Sequence, residues 1–157
     1  MRKFLQWLVS RLPKDTINVG GKPYLTRYYL FGKRSEWNVF VHCFHSSDQG
    51  DELHNHPWKW AVSLILSGGY SEEFRVSEEE LFGFGGEFSR TNFTVFRREK
   101  RPGDLNLITS KSFHRVDLPR GEAWTLFVVG PRCQEWGFWD RHTEEFRDWT
   151  SNPEAIP

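Results

Sequence analysis

Apolar positions change their period about twenty residues into the chain. Before that point Phe4, Leu5, Leu8, Val9 and Leu12 recur at the spacing of one helical face, and Pro13 closes the segment. After the Gly20-Gly21-Lys22-Pro23 turn the runs become short, aromatic and β-branched. They cover residues 24–31, 37–44, 58–66, 70–76, 93–98, 105–108, 114–118 and 124–129. In the second of these, Trp37, Val39, Val41 and Cys43 share one face, and Asn38, Phe40, His42 and Phe44 share the other. Gly32-Lys33, Ser67-Gly68-Gly69 and a polar, glycine-rich stretch with Glu78-Glu79-Glu80 and Gly83 to Gly86 punctuate the runs. Short strands with such punctuation predict an all-β sandwich or small barrel. From Gln134 onward Trp136, Phe138, Trp139, Phe146 and Trp149 follow no regular period. Thr143 followed by Glu144-Glu145 predicts a short helix ending near Trp149, within a cap that wraps the barrel or lines a ligand mouth.

At 157 residues the chain is expected to form a single domain, 1–157, with an N-terminal helix over 1–13, a barrel over 24–129 and a cap over 130–157. Its formal net charge is zero, which excludes nucleic-acid binding through a general basic field. Aromatic residues make up 17% of the chain, and each one buried removes roughly 150–250 Å² from water, so a substantial core is within reach. The helical stripe is expected to pack on the domain as a lid. With Arg2, Lys3 and Arg11 elsewhere on the wheel, it could instead lie on a membrane surface. No apolar run approaches the roughly 20 residues of a membrane span. The opening Met1 to Val9 mimics the start of a secretion signal, but Gln6 and Ser10 break it and no small-residue cleavage site follows. Cys43 and Cys133 are too few for a disulfide framework and read as small buried apolar residues. The expectation is a cytoplasmic protein with reduced thiols, no membrane association and no nucleic-acid partner.

The six histidines carry the candidate chemistry. His54 and His56 are one residue apart, so on an extended chain both imidazoles face the same side and can converge on one ion. Nitrogen donors of this kind favour iron, zinc, copper or nickel over magnesium or calcium. The pair is expected to open the strand that ends at Gly68. His42 shares its strand face with Phe40 and Phe44, which points it into an aromatic interior as a further ligand or as a neutral core histidine with one hydrogen bond. His45 and His142 sit among polar residues and are expected to face solvent. Arg27, Tyr29, Ser63, Tyr70, Glu72 and Arg75 lie on or beside candidate strands and are expected either to orient a small polar ligand or to form a solvated outer face. Glu72-Glu73 could give a general base. Gly83-Phe84-Gly85-Gly86 lacks the following Lys-Ser/Thr of a phosphate-binding loop.

Gly50, Leu53-His54-Asn55-His56-Pro57-Trp58 and Gly68, followed after Arg101-Pro102-Gly103-Asp104 by Phe113-His114-Arg115-Val116, resemble the two motifs of the cupin superfamily. The resemblance covers residues 24–129. Gly130-Pro131-Arg132 and Glu135-Trp136-Gly137-Phe138 resemble small cupin-like proteins of bacteria and phages. The resemblance implies a double-stranded β-helix, or jelly roll. It also implies one divalent transition metal, Fe first with Zn or Ni as alternatives, on His54, His56 and His114. The glutamate that cupins usually add as a ligand has no counterpart at Trp60 or Ala61. A three-histidine site, or one completed by His42, is therefore expected. The implied function is a metal-binding cupin, an iron-dependent dioxygenase-like enzyme acting on a small polar molecule. The alternatives are a small-molecule binding or regulatory module without turnover, and a metal-free sugar or nucleotide-sugar isomerase or epimerase using His54 or His114 as base. Cupins often pair through barrel edges, so a homodimer is also expected.

Overall fold

The computed structural model describes residues 1–31, 36–77 and 93–151. The expected turn at Gly32-Lys33 and the connection holding Glu78-Glu79-Glu80 and Gly83 to Gly86 lie outside the described residues. One helix, α1 (Arg2–Val9), is followed by β1 (Lys14–Val19), β2 (Lys22–Tyr29), β3 (Asn38–Phe44), β4 (Leu53–His54), β5 (Trp60–Ser67) and β6 (Tyr70–Ser77). Then come β7 (Phe93–Lys100), β8 (Leu105–Thr109), β9 (His114–Asp117), β10 (Ala123–Val129), β11 (Gly137–Trp139) and β12 (Phe146–Asp148), with a closing 3₁₀ turn over Trp149–Ser151. Among the described residues they form two antiparallel sheets, ordered β1-β2-β3-β10-β5-β8 and β12-β11-β4-β9-β6-β7, that curl against one another as a jelly-roll barrel.

Alternation along the strands explains why the sheets face each other. On β5, Ala61, Ser63, Ile65 and Ser67 are buried while Val62, Leu64 and Leu66 are half-buried on the other face. Between the sheets, Tyr29, Phe40, Ala61, Ile108, Phe127 and Val129 form one apolar cluster. Ile65, Tyr70, Val116, Leu118 and Ala123 form another. On the outside of the first sheet, Leu5 and Val9 of α1 pack on Val41, Cys43 and Trp124. The stripe thus does pack on the domain, although the helix ends at Val9 and leaves Phe4, Trp7 and Leu8 exposed. No described helix is long and apolar enough to cross a membrane.

One segment without an assigned element gains one, and two local expectations are corrected. The sequence between Pro13 and Gly20 is a strand, β1, paired with β2 through the two-residue Gly20-Gly21 turn, whose φ angles of 57° and 75° suit a tight hairpin. His54 and His56 do not open the strand that ends near Gly68. His54 ends the short β4 in the second sheet, and Pro57, which has no N–H to give to a ladder, stands between it and β5 in the first. The expected helix after Thr143 is absent: Asp140 Oδ1 accepts the backbone N–H groups of His142 and Thr143 at 2.8 and 3.2 Å, and Glu144 takes φ 59°. A residue in that left-handed region ends a helix, and here the turn closes the β11–β12 hairpin.

The β5–β6 hairpin requires its glycines. At Gly68, with φ 82°, an added Cβ would lie 2.4 Å from the Glu122 carbonyl oxygen. Gly121, with φ 76°, has nothing within 4 Å of that position. Gly68→Ala is therefore expected to cost at least about 2 kcal/mol, combining backbone strain with a clash against β10's entry. Gly121→Ala should cost about 1 kcal/mol from strain alone. Urea unfolding of the two variants measures the difference, and equal losses would contradict the close approach at Gly68.

Candidate metal centre

Strand register brings the distant histidines together. His54 on β4 and His114 on β9 are direct antiparallel partners, and His56 follows two residues on. Their ring centroids are 5.1 Å (His54–His56), 4.8 Å (His54–His114) and 5.0 Å (His56–His114) apart. One ligand nitrogen from each lies within 4.8 Å of the others. The closest pair is His56 Nε2 and His114 Nε2, at 2.8 Å. Two nitrogens bonded to one ion at about 2.1 Å stand about 3.0 Å apart at a right angle and about 3.4 Å apart in a tetrahedron. The observed separation is near the first value, so the donor set fits a transition-metal ion after small ring shifts.

Carboxylates behind two of the rings set their proton positions. Glu72 Oε1 lies 2.6 Å from His114 Nδ1. A carboxylate accepts the Nδ1–H, which leaves the His114 Nε2 lone pair to face the cluster. Asp48 Oδ2 lies 3.4 Å from His54 Nδ1, close enough to attract that side of the ring electrostatically. Asp48 is itself fixed by accepting the Val116 N–H at 2.6 Å and the Tyr24 hydroxyl. Burial above all lowers the basicity of two of the imidazoles: it holds His56 well below the ordinary range, helped by His114 and His54, and His54 at about 4 despite the opposing pull of Asp48. Both are thus neutral and able to donate a lone pair at physiological pH.

Glu72 is buried and is not among the residues lining the aromatic cavity beside the imidazoles. Arg98 Nε donates to its Oε2 at 2.7 Å, and Asn106 Nδ2 donates to its Oε1 at 2.6 Å. Arg98 Nη2 also donates to Asn106 Oδ1 at 2.5 Å. Burial pushes the Glu72 carboxyl up, but His114 and Arg98 outweigh it and hold it at about 2. Arg98 is Glu72's partner on β7, and Asn106 belongs to β8, so this network ties the end strands of the two sheets together. The Tyr70 hydroxyl is held by Asn106 and Ser63, and burial raises it further from ionisation.

A cavity of about 340 Å³ adjoins the imidazoles. Tyr24, Phe44, Trp58, Phe127, Trp136 and Trp149 contribute aromatic wall, so the C-terminal tryptophans do line its mouth. Of the expected ligand-orienting residues, Arg27, Ser63 and Tyr70 reach this wall. Tyr29 does not: it sits in the apolar cluster with Phe40, and its hydroxyl donates to Asp15 at 2.7 Å. Arg75 is also elsewhere, stacked over Phe113 and Phe93 at 3.8 and 4.1 Å. Glu73 points to the other face of β6 and accepts from Arg141 at 2.6 Å, which serves an ion-pair cluster rather than a base.

His42 lines the cavity but stands outside the cluster of three. It stacks between Phe127 and Phe40, with centroids 4.8 and 5.4 Å away. Burial, reinforced by Arg27, keeps its basicity well below normal, so it is neutral; its Nε2 has no hydrogen-bond partner among the described residues. His45 and His142 are exposed, bonded to Thr26 and Asp51 at 2.8 and 2.9 Å. Cys43 is buried as expected, whereas Cys133 is exposed. Sequence reasoning missed Asp48, Arg98 and Asn106; no local spacing signals them, because each meets the site only through strand pairing or loop return.

No protein-family model matches the chain, and no curated protein matches it. Among solved structures, Fe(II)-HppE with the alternative substrate (S)-1-HPP is similar at a TM-score of 0.50 and 12% identity, over 77% of this chain and 57% of that one. FeII HppE gives a TM-score of 0.50 at 12% identity over 76% and 57%. Recombinant oxalate oxidase in complex with glycolate gives 0.44 at 14% identity over 64% and 45%. The chain spans a little over half the length of the HppE structures. The likeness establishes the fold, an all-β jelly roll of the cupin type.

Two pH dependences follow. A folded-state imidazole that stays neutral gains a proton on unfolding, so the stability His54 contributes is full above pH 6.5 and lost as the pH falls from there to about 4. Urea midpoints of the metal-free protein are expected to drop across that window, and a flat profile would contradict the burial. Glu72 works lower: its stabilisation is full above about 4.5 and lost as pH falls to about 2. Glu72→Gln should cost about 3 kcal/mol at neutral pH and lose less than the parent protein over that lower window.

Proposed function

We propose that the chain is a metal-binding protein that holds one divalent transition metal on His54, His56 and His114 and takes up a small organic molecule in the adjoining cavity. The observation that carries this reading is the meeting of three imidazoles at one cavity wall, two of them backed by carboxylates. Iron is the first metal to test, because HppE, alike in fold, is an Fe(II) protein; zinc and nickel suit the same donors. Iron held by His54, His56 and His114 would supply oxidation of an organic molecule by dioxygen.

The chain's own residues do the rest. Glu72 accepts from the far nitrogen of His114, which fixes that ring's orientation, and the nearby Asp48 carboxylate faces the Nδ1 side of His54. Trp58 stacks on His56 at 5.6 Å and meets Phe127 edge-on at 5.7 Å, shielding the cluster from water. Ser63 and Asn106 fix the Tyr70 hydroxyl, a neutral hydrogen-bonding group on the wall. A second reading, a binding module without turnover, is favoured by one feature: no Asp or Glu lines the cavity among the described residues, so no carboxylate base reaches a ligand there.

Metal titration under anaerobic conditions tests the site. One Fe(II) or Zn(II) per chain is expected. Alanine at any of the three histidines should weaken binding by about 100-fold or more. Glu72→Gln should weaken it about 10- to 100-fold by releasing the His114 ring. Unchanged affinity in the His54→Ala, His56→Ala double variant would refute the site. Dioxygen uptake on adding a cavity ligand to the iron form separates an oxidising enzyme from the binding module.

A further inference from the structure

We propose that the cavity binds an organic carboxylate with a flat, apolar, ring-sized body, its carboxylate on Arg27 and its body against the aromatic wall leading to the three imidazoles. This deepens the metal-centre reading and rests on it only for what the far end of the ligand meets.

Arg27 enters the cavity for a reason of register. On β2, Leu25 and Arg27 both reach the cavity wall, and Arg27 pairs across the ladder with His42 of β3. The guanidinium carbon lies 5.2 Å from the centre of the Phe40 ring, and the buried Nε has no hydrogen-bond partner. A guanidinium keeps its charge at every accessible pH, and a partly buried charge without a counter-ion is costly. Among the described residues no carboxylate pairs with Arg27 and none lines the cavity. The other guanidinium on the wall, Arg132, is already paired with Glu135 at 2.6 Å. An anion filling the cavity would balance the half-buried Arg27 charge. Beside it, the unpartnered Nε2 of the buried His42 offers a second polar contact.

The rest of the wall describes the body of the ligand. Phe44, Trp58, Phe127 and Trp136 present ring faces and edges, while Ser63 and Tyr70 add single polar points. A volume of about 340 Å³ is at the small end of ligand pockets and suits one ring with a short substituent. A single unneutralised guanidinium also selects the anion: its planar fork matches the two oxygens of a carboxylate, and one positive charge balances one negative charge. A phosphate dianion would leave a second charge uncompensated in an aromatic cavity.

Benzoate is the probe, titrated into the full-length protein in metal-free and Zn(II)-loaded forms and followed by tryptophan fluorescence. Benzyl alcohol and phenyl phosphate serve as neutral and dianionic comparators. Saturable benzoate binding is expected, tighter than that of either comparator. Arg27→Gln should weaken benzoate roughly 10- to 100-fold and leave benzyl alcohol unchanged, with the thermal midpoint and Zn(II) stoichiometry as controls for fold and metal site. Arg27→Lys, which keeps the charge but not the fork, should fall between. The proposal is overturned if benzyl alcohol or phenyl phosphate binds the parent protein as tightly as benzoate, if Arg27→Gln binds benzoate as well as the parent does, or if benzoate does not bind. Loss of Zn(II) binding with benzoate affinity retained would count against the metal centre alone.

Discussion

The buried carboxylate of Glu72 is the constraint on which both the barrel and the candidate centre depend. It lies on β6, with Arg98 opposite on β7, Asn106 reaching across from β8 and His114 alongside on β9. Removing it would leave the buried Asn106 amide and the His114 ring without this acceptor in a place water hardly reaches, the costly situation for polar groups, while the more exposed Arg98 would keep Asn106 Oδ1. Its charge persists because the His114 and Arg98 contacts outweigh the burial penalty. One group thus joins the end strands of the two sheets and turns an imidazole so that its lone pair faces the cluster.

Among the described residues no carboxylate joins the cluster of His54, His56 and His114; Glu72 stands behind it instead, against the far nitrogen of His114. Trp60, near where a ligand carboxylate is expected, is exposed at 41% on β5, in the opposite sheet from His54. Carboxylate character still reaches the site, through the hydrogen bond from His114 to Glu72 and the nearby charge of Asp48 beside His54.

The two sheets supply the cavity with different chemistry. The second sheet brings His54 and His114, and the first brings Arg27 and His42 on neighbouring strands. Between them the wall is aromatic, and Trp136 and Trp149 extend it at the mouth. A lone guanidinium at one side and nitrogen donors at another give such a cavity a direction, which an apolar pocket lacks.

Much of this was legible in the chain. Period-two alternation gave the inward set of Phe40, His42 and Phe44, glycine pairs gave the hairpin turns, and the His-x-His spacing together with the cupin resemblance put His54, His56 and His114 forward. These are local signals, set by backbone geometry within a few residues. The order of strands, the Pro57 break that sends the histidine pair and the following run to different sheets, and the β11–β12 hairpin in place of a helix were decided by pairing between distant segments. So were the roles of Asp48, Glu72 and Arg27. A carboxylate on a strand reads the same whether it faces water or grips an imidazole, and only the register of the neighbouring strand, set by burying the whole apolar face at once, makes that choice.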